Sequence, residues 1–468
     1  MTGVQPAATR DLRTDDLRAE LAGIAFDRSP DIVATLSVDA SWRAHALSAA
    51  GRPMLADAIV SPRSASEVAR VLAVAAAAGV PVAPRAGGSG MRGGAIPNRG
   101  GLLVDLSLMD EILGMDETSG LVHVQPGVTG LRLEGWLNDR GFMFPHYPTG
   151  AHMAQVGGYL GTNGSGVMAT KYGSIARLVA SVEVALPSGD LVRVGGLPGY
   201  AAGPDVTGLF VGSEGTLGIV TEATLQAVPL PACRMFRALR FRDVATAIDG
   251  VRAVLQAGWR PAVARLYDDE STEQNLADGL DLDVAGVQLL LVFDGPEALA
   301  LLEERRTVAA LVDAGGVDEG SAPARAWWSS RYRMRAPSLP AMWGVVDVAA
   351  SYGRLLSVYE ALRVLLRDDY AEYDVHFDGC IPHWYLWGAT LSGAFVVDRP
   401  PDRIDDALAL HDEIRRRSEA AAVAHGAVVG GGRGVGLEVP PESISDVLRA
   451  IKSALDPNAV ANPGKLGL

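Results

Sequence analysis

Glycine is concentrated in one short stretch, residues 84–95, which read Pro-Arg-Ala-Gly-Gly-Ser-Gly-Met-Arg-Gly-Gly-Ala. Because glycine has no Cβ, the backbone there can turn sharply and point several N–H groups at one anion. The residues before it predict a β-α-β unit, with strands at 58–60 and 80–82 and a helix between them that begins with a capping box at Ser64 and Glu67. The stretch therefore predicts an anion nest after a strand, of a kind that fits a pyrophosphate.

Length and composition fit a globular protein of more than one domain. The chain has 468 residues, 48% hydrophobic and 21% charged, and its net charge of −14 argues against a nucleic-acid-binding surface. Two cysteines, Cys233 and Cys380, cannot form a disulfide framework and are compatible with the reducing cytoplasm, where we expect the protein. The N-terminus lacks the apolar segment of a signal peptide, and the apolar run at 68–82 contains Arg70 and is too short to span a bilayer.

The sequence pattern changes after Pro231. Strands and helices alternate from there in a way that suits an open antiparallel sheet with helices on one face. Residues 321–345 are rich in Trp, Arg and Pro and predict irregular structure. Residues 11–50 predict amphipathic helix with a break at Pro30.

Two more glycine-rich segments follow the first, at 157–166 with 171–174 and at 212–220, and Asp-Pro-Asn-Ala-Val-Ala-Asn-Pro-Gly-Lys occupies 456–465. In order and spacing these segments resemble the FAD-linked oxidases of the vanillyl-alcohol-oxidase type, which have a PCMH-type FAD-binding domain. The resemblance is strongest over residues 55–231. Two branches of the family come nearest: the D-2-hydroxy-acid dehydrogenases, with D-lactate dehydrogenase and the glycolate oxidase flavin subunit, and alkyl-dihydroxyacetonephosphate synthase.

The resemblance implies an α+β fold, in which a two-subdomain FAD-binding domain is joined to a cap domain whose antiparallel sheet is covered by helices. We expect an N-terminal helical segment packing on the FAD domain at 1–50 and the FAD-binding domain at 51–231. The cap, or substrate, domain would occupy 232–430, and residues 431–468 would return to the FAD domain.

The resemblance also implies FAD as the cofactor, bound at the glycine-rich segments. The first segment would wrap the pyrophosphate, the second would lie against the flat ring system, and the third would hydrogen-bond the polar rim of the flavin through an edge strand. The residues expected to bind FAD are Pro84, Arg85, Ala86, Gly87, Gly88, Ser89, Gly90, Pro148, Thr149, Gly150, Gly157, Gly158, Gly161, Thr162, Asn163, Gly166, Tyr172, Gly173, Glu214, Gly215, Gly218, Ile219, Val220 and Asn462. Family members often tether the flavin through a histidine at the position of Ser89. Serine cannot form that bond, so we expect non-covalent FAD.

The match to the synthase branch is incomplete. The segments Arg-Leu-Tyr-Asp at 265–268 and Cys-Ile-Pro-His-Trp-Tyr at 380–385 look like the synthase. Its arginine and its tyrosine, however, fall on Pro340 and Ser392, and its three consecutive histidines fall on Gly-Gly-Arg at 431–433. These differences argue against ether-lipid synthesis.

The match to the hydroxy-acid branch is also incomplete, because the signature that supplies its metal ligands is missing. This chain has only His376 and His383 there, seven residues apart, so no metal is expected. Oxidation of an alcohol by a flavin needs a base for the O–H proton, and His383 and Tyr385 are candidates because residues two apart on a strand share a face. Ordinary packing roles are the alternative. Arg433 would hold a substrate carboxylate or steady negative charge on the flavin, or else form a structural salt bridge.

Tryptophans and arginines of the cap either surround the substrate pocket or have ordinary structural roles. An aromatic-lined cavity would favour an aromatic or bulky substrate, whereas ordinary cap core is the competing interpretation. The tryptophans concerned are Trp327, Trp328, Trp343, Trp384 and Trp387. Arg331, Arg333 and Arg335 would cover the pocket, or at least two of them would form a solvated face. His146 and His152 would lie near the flavin without a catalytic role.

The expected function is that of an FAD-dependent oxidoreductase, an oxidase or dehydrogenase that acts on a CH–OH or related carbon by hydride transfer to flavin N5. Its partners would be a small organic substrate, aromatic or bulky, and O₂ or another electron acceptor. No nucleic acid and no integral membrane segment are expected, and the protein could form a homodimer. Two alternatives stay open, a synthase-like flavoenzyme without net redox change and a non-catalytic flavin-binding protein.

Overall fold

The amino-terminal half of the chain folds into two main sheets with helices packed against them, and the short strands Phe142–Met143 and Val228–Pro229 form a separate two-stranded sheet. The computed structural model describes residues 14–196, 203–332, 339–430 and 442–468. The strands of this half are β1 Ala25–Asp27, β2 Ala58–Ser61, β3 Val82–Arg85, β4 Leu102–Asp105, β5 Ile112–Asp116, β6 Leu121–Val124, β7 Phe142–Met143, β8 Val179–Ala185, β9 Leu191–Gly195, β10 Ile219–Gln226 and β11 Val228–Pro229. The helices are α1 Thr14–Glu20, α2 Pro30–Leu36, α3 Trp42–Ala49, α4 Ala65–Ala78, α5 Gly130–Asn138, α6 Val156–Thr162, α7 Ala169–Tyr172, α8 Ile175–Leu178 and α9 Thr207–Phe210.

The first sheet contains the predicted β-α-β unit. Its strand order is β1-β2-β4-β3, with β2, β4 and β3 parallel. Helix α4 begins where Ser64 Oγ accepts a hydrogen bond from the Glu67 N–H, and it ends at Gly79, whose φ is 65°. The strand-helix-strand prediction is therefore confirmed. The wholly helical prediction for residues 11–50 is wrong at β1, because its residues complete the sheet as an antiparallel edge strand beside β2.

The second sheet is antiparallel, in the order β5-β6-β10-β8-β9. The predicted hairpin is present as β8 and β9, which pair from Ser181↔Gly195 to Ala185↔Leu191. Leu133 and Leu137 of α5 and Leu160 of α6 are fully buried in the hydrophobic core beside this sheet. The glycine-rich segments lie in the connections around these elements.

The carboxy-terminal half is dominated by one antiparallel sheet in the order β15-β12-β14-β13-β17-β18-β16-β19. Its strands are β12 Cys233–Phe241, β13 Val263–Tyr267, β14 Val287–Gly295, β15 Val317–Asp318, β16 Met342–Ser351, β17 Val375–Tyr385, β18 Gly388–Val397 and β19 Val428–Val429. The helices of this half are α10 Val244–Gln256, α11 Asp269–Thr272, α12 Asp278–Leu280, α13 Glu297–Asp313, α14 Ala322–Ser329, α15 Tyr352–Asp369, α16 Ile404–Ala424 and α17 Glu442–Leu455. The expected antiparallel sheet with helices on it is thus present.

The prediction of irregular structure over residues 321–345 is wrong for much of that segment. Helix α14 forms because Pro323 stands in its first turn and Trp327 and Trp328 are buried along one side. Strand β16 begins at Met342, within the same segment, and pairs with β18 along its whole length. The tryptophans that suggested an irregular loop are therefore buried parts of regular elements.

The two faces of the large sheet have different surroundings. One face carries the apolar core beneath α10, α13, α15 and α16, with fully buried residues such as Leu266, Phe377 and Leu391. The opposite face packs partly against the amino-terminal half, where Tyr267 and Cys380 share a cluster with residues such as Met168. Any site between the glycine-rich segments and the cap therefore faces this second side of the sheet.

The segment before residue 50 contacts both halves of the protein. Leu17 of α1 and Leu21, which follows that helix, are buried with α4 beside the first sheet. Trp42 of α3, in contrast, belongs to the apolar core of the large sheet, and Arg43 forms a salt bridge with Asp412 of α16. The sequence did not indicate this second contact, because Trp42 gives no sign of where its partner lies.

The carboxy-terminal tail lies beside β3, just before the first glycine-rich segment. The Val82 N–H donates to Val460 O at 2.8 Å, and the Asn462 N–H donates to Val82 O at 2.7 Å. Lys452 Nζ donates to Thr216 O and to Ala461 O, both at 2.7 Å.

In the part of the chain that the structure describes, every helix is too short or too polar to cross a lipid bilayer.

Candidate functional site

The three glycine-rich segments, which are far apart in sequence, meet in the structure. The Glu214 N–H donates to Gly161 O at 2.8 Å and so joins the third segment to the second. A Cβ on Gly215 would lie 2.4 Å from Pro84 Cγ, and one on Gly87 would lie 1.9 Å from Met153 O. Glycine is therefore required at these two positions for the segments to approach so closely.

Asn462 holds two of the segments together from the carboxy-terminal tail. Its Nδ2 donates to Glu214 O at 2.6 Å and to Gly94 O at 3.3 Å. Lys465, whose side chain is fully buried, donates to Gly93 O. The tail therefore fixes the first and third segments relative to each other.

Buried charges surround this junction. Burial raises the pKa of Glu214 to about 7, although Lys465 and Arg92 act in the opposite direction. Burial lowers the pKa of Lys465 to about 8. Arg85 is one of the predicted FAD-binding residues. Its guanidinium packs against Gly88 and donates to Val38 O at 2.8 Å, so it stabilises the first glycine-rich segment.

The junction has features that fit FAD. A Cβ on Gly90 would meet no atom within 4 Å, and the nearest atoms to a Cβ on Gly158 or Gly161 are at 3.9 and 4.0 Å. Glu214 Oε2 and Asn462 Oδ1 are buried acceptors with no hydrogen-bond donor. Buried acceptors of this kind call for donors, which the hydroxyl groups of FAD would supply. Open space above glycines and unpaired acceptors are together consistent with a bound dinucleotide.

The remaining predicted FAD-binding residues have varied surroundings. Gly166 packs so tightly that a Cβ would lie 1.5 Å from His146 O, whereas Thr149 is exposed. The Tyr172 hydroxyl donates to Asp294 Oδ1 at 3.1 Å, so it joins the two halves of the protein. The predicted FAD-binding residues therefore do not all face one cleft.

The edge-strand prediction for the third segment needs a correction. Strand β10 lies in the middle of its sheet, between β6 and β8. Only its residues from Ala223 onward pair with β6, whereas pairing with β8 begins at Ile219. Ile219 and Val220 therefore have a strand partner on one side only, which is the feature that the edge-strand prediction required.

A row of polar residues crosses the face of the large sheet that is opposite its helices. Tyr267 is paired with Cys380, Cys380 with Ser392, and Ser392 with Asp347, on four neighbouring strands. A register shift between Cys380 and His383 leaves Ile381 and Trp384 in the helix-covered core. The bulge therefore places His383 on the same face as Cys380. We call this set the polar row, and it consists of Arg265, Tyr267, Asp347, Asp378, Cys380, His383, Thr390 and Ser392.

Arg265 is a residue whose position the sequence did not reveal. It lies on β13 between buried Ala264 and Leu266, and its Nε donates to the Tyr267 hydroxyl at 2.7 Å. Trp327 Nε1 donates to the same oxygen at 3.0 Å, so the hydroxyl is held from two sides. The guanidinium is therefore fixed at the polar row. A single arginine inside an apolar strand was the signal that could have identified it.

His383 is neutral and lies close to Arg265. Burial lowers its pKa to about 3, and the positive charge of Arg265 acts in the same direction. Its Nδ1 is buried and has no hydrogen-bond partner. Burial also lowers the pKa of His146 to about 3, and that residue likewise has a buried, unpaired Nδ1. A fixed guanidinium can bind the carboxylate of a substrate, and an uncharged imidazole beside it can accept a proton from the hydroxyl group of the same substrate.

Tyr385, the other predicted catalytic residue that the structure describes, is not brought to this point. Tyr385 stacks on Trp387 with ring centroids 6.4 Å apart, and Trp387 is 67% exposed at the tip of the β17–β18 hairpin. Arg433 lies outside the described residues, as do Arg333 and Arg335.

The tryptophans of the cap do not line one cavity. Trp327 and Trp328 lie in the cluster beneath α14, whereas Trp343 and Trp384 lie in the helix-covered core. The aromatic-lined cavity is therefore wrong, and with it the argument for an aromatic or bulky substrate. Arg331 is also not solvated, because its guanidinium lies 4.4 Å from the Trp328 ring centroid and its side chain is 16% exposed.

Comparisons with known proteins agree with this description. A family model described as FAD binding domain matches residues 56–195, and one described as FAD linked oxidases, C-terminal domain, matches residues 230–466. Glycolate oxidase subunit GlcD of Bacillus subtilis (strain 168) is 30% identical over 430 residues, which make up 88% of this chain and 88% of that protein. Alkyldihydroxyacetonephosphate synthase of Trypanosoma brucei brucei is 25% identical over 451 residues, 88% of this chain and 73% of that protein.

The fold comparison gives the same result. A solved structure of alkyldihydroxyacetonephosphate synthase superposes with a TM-score of 0.77 at 23% identity, covering 99% of this chain and 86% of that one. The α+β fold and the resemblance inferred from the glycine-rich segments are thereby confirmed. With a model of the family matched across the carboxy-terminal half and a relative aligned over most of both lengths, the chain belongs to the FAD-linked oxidases.

Proposed function

We propose that the protein is an FAD-dependent oxidoreductase that oxidises the CH–OH carbon of a small 2-hydroxy acid. The observation that carries this proposal is that His383 and Arg265 lie on neighbouring strands on the face of the cap sheet opposite the helices, with Arg265 held by Tyr267. The name of the Bacillus subtilis relative, a glycolate oxidase subunit, supports the same substrate class.

The two residues would have complementary roles. The Arg265 guanidinium would hold the substrate carboxylate, since charge-assisted hydrogen bonds to a planar fork fix both position and orientation. His383 would accept the hydroxyl proton as the C–H bond is broken. Burial is the main cause of the low pKa of His383, and Arg265 lowers it further. A bound carboxylate that offsets the charge of Arg265 would remove only this second effect. FAD, when bound, supplies the hydride acceptor.

Ser89 supports a non-covalent attachment of FAD. It occupies the position at which the family resemblance implies a tethering histidine in many members, and a serine hydroxyl cannot form that bond. Asn462, Glu214 and the backbone of the glycine-rich segments would then hold the cofactor by hydrogen bonds alone.

Anaerobic mixing with candidate substrates tests the proposed reaction. We expect glycolate or D-lactate to bleach the visible absorption band of the flavin, and the band to stay bleached until O₂ or another acceptor is added. A synthase-like flavoenzyme without net redox change would not remain bleached. If neither these acids nor a larger 2-hydroxy acid such as mandelate reduces the flavin, the proposed function is wrong.

A further inference from the structure

A small, partly enclosed cavity lies where three parts of the protein meet, and one of its wall residues, Arg92, forms a salt bridge with Asp347 of the polar row. Its volume is about 30 Å³. The walls come from the start of α3, from residues 91–93 of the first glycine-rich segment, and from β16 and α16 of the cap; they include Trp42, Arg43, Met91, Arg92, His411 and Arg415. The β16 residue Gly344, also in the wall, faces His411 and therefore the helix-covered side of the sheet.

Two side chains in the wall of this cavity carry buried donors without acceptors. Arg415 is 7% exposed and Trp42 is 3% exposed. Arg415 Nε and Trp42 Nε1 have no hydrogen-bond partner. A buried donor without an acceptor is costly, so two of them lining one cavity indicate that an acceptor occupies the cavity.

The charge balance around the cavity favours an anion as that acceptor. Arg43 forms a salt bridge with Asp412, and Arg92 forms one with Asp347 at 2.6 Å. Among the described residues, no carboxylate comes within salt-bridge distance of Arg415. Burial lowers the pKa of Arg415 to about 10, while the more distant Glu419 and Asp412 raise it, so the guanidinium stays charged at neutral pH.

The size of the cavity limits what the anion can be. A volume of about 30 Å³ holds one or two groups the size of a water molecule, since a cavity needs roughly 10–15 Å³ to hold one water. A phosphate or an organic acid has more heavy atoms than that. Trp42 stacks on His411 with ring centroids 4.9 Å apart, so two aromatic rings contribute to the wall.

We propose that this cavity binds a single halide-sized anion, chloride under ordinary conditions, held by Arg415 and Trp42. The ion would join α3, residues 91–93 of the first glycine-rich segment, and α16. It would therefore stabilise the contact between the FAD-binding half and the cap. The site uses none of the residues of the polar row and does not depend on the proposed reaction.

Thermal unfolding of the purified holoenzyme tests this proposal. We expect the midpoint to rise by about 2 °C or more in sodium chloride or bromide, compared with sodium gluconate at the same ionic strength. The matched ionic strength removes general screening from the comparison. Arg415→Met and Trp42→Phe should each abolish the difference between the salts, whereas Arg416→Met, which alters an exposed neighbour on α16, should leave it intact.

A direct observation keeps the proposal testable if either variant fails to fold. Crystals of the wild-type protein grown or soaked in bromide should show an anomalous scattering peak beside Arg415 Nε. Water alone in the cavity, with no bromide signal and no difference between chloride and gluconate, would overturn the proposal. A salt difference of the same size in Arg415→Met would also overturn it, because the effect would then come from another place.

Discussion

Replacing Arg265 by Met is expected to lower kcat/KM for a 2-hydroxy acid by about a thousandfold. The change removes two charge-assisted hydrogen bonds to the carboxylate, which together contribute about 4 kcal/mol of transition-state binding. Methionine keeps most of the apolar stem of the side chain and removes its charge, and Ala264 and Leu266 stay in the core on the opposite face. Steady-state kinetics on glycolate or D-lactate, whichever reduces the flavin, measures the effect.

The uncharged amide of the same acid separates a binding role from a structural one. An amide cannot pair with the guanidinium as a carboxylate does, so Arg265→Met should turn the amide over about as well as the wild type does. Arg240→Met is the matched control, because Arg240 lies on β12 of the same sheet and its salt bridge with Glu319 is on the surface. Equal losses on acid and amide, or normal turnover of the acid, would contradict the assignment of Arg265.

Replacing Gly87 by Ala is expected to abolish FAD binding and to destabilise the amino-terminal half by about 3 kcal/mol. The added Cβ would lie 1.9 Å from Met153 O, a backbone atom that cannot rotate away. The first glycine-rich segment would have to move, and the amides that would face the pyrophosphate would move with it. Flavin content after purification and the free energy of unfolding are the two measurements.

Two other glycines distinguish crowding of the fold from crowding of the cofactor. Gly135→Ala in α5 meets no atom within 4 Å and should raise stability by about 0.5–1 kcal/mol, since alanine favours helix. Gly90→Ala also meets no atom within 4 Å, so it should leave the stability of the flavin-free protein unchanged while weakening FAD binding. Normal FAD affinity in Gly90→Ala would show that the cofactor does not occupy the space above this residue.

Local signals predicted the first half of the chain well. The capping box at Ser64 and the hairpin of β8 and β9 each depend on neighbouring residues, and both were found as predicted. The sequence did not show that Asn462 closes the junction through the Glu214 carbonyl, because that contact joins residues far apart in the chain.

The candidate catalytic face was harder to predict, for a physical reason. His383 shares a face with Cys380 because of a bulge at residues 381 and 382, and a bulge leaves no mark in a simple alternating pattern. Arg265 reaches the polar row through the pairing of β13 with β17, which no local feature of either strand reveals. The aromatic-lined cavity failed because tryptophans close in sequence were buried on different sides of the sheet.

Acid precipitation of the purified protein, followed by measurement of flavin in both fractions, tests the central claim most directly. If the glycine-rich segments form an FAD site and Ser89 leaves the cofactor untethered, the supernatant will contain one FAD per chain and the precipitate will be colourless. Flavin retained on the precipitate would contradict the non-covalent attachment. Correctly folded protein that yields no flavin in either fraction, and that binds none when FAD is added in excess, would contradict the account as a whole.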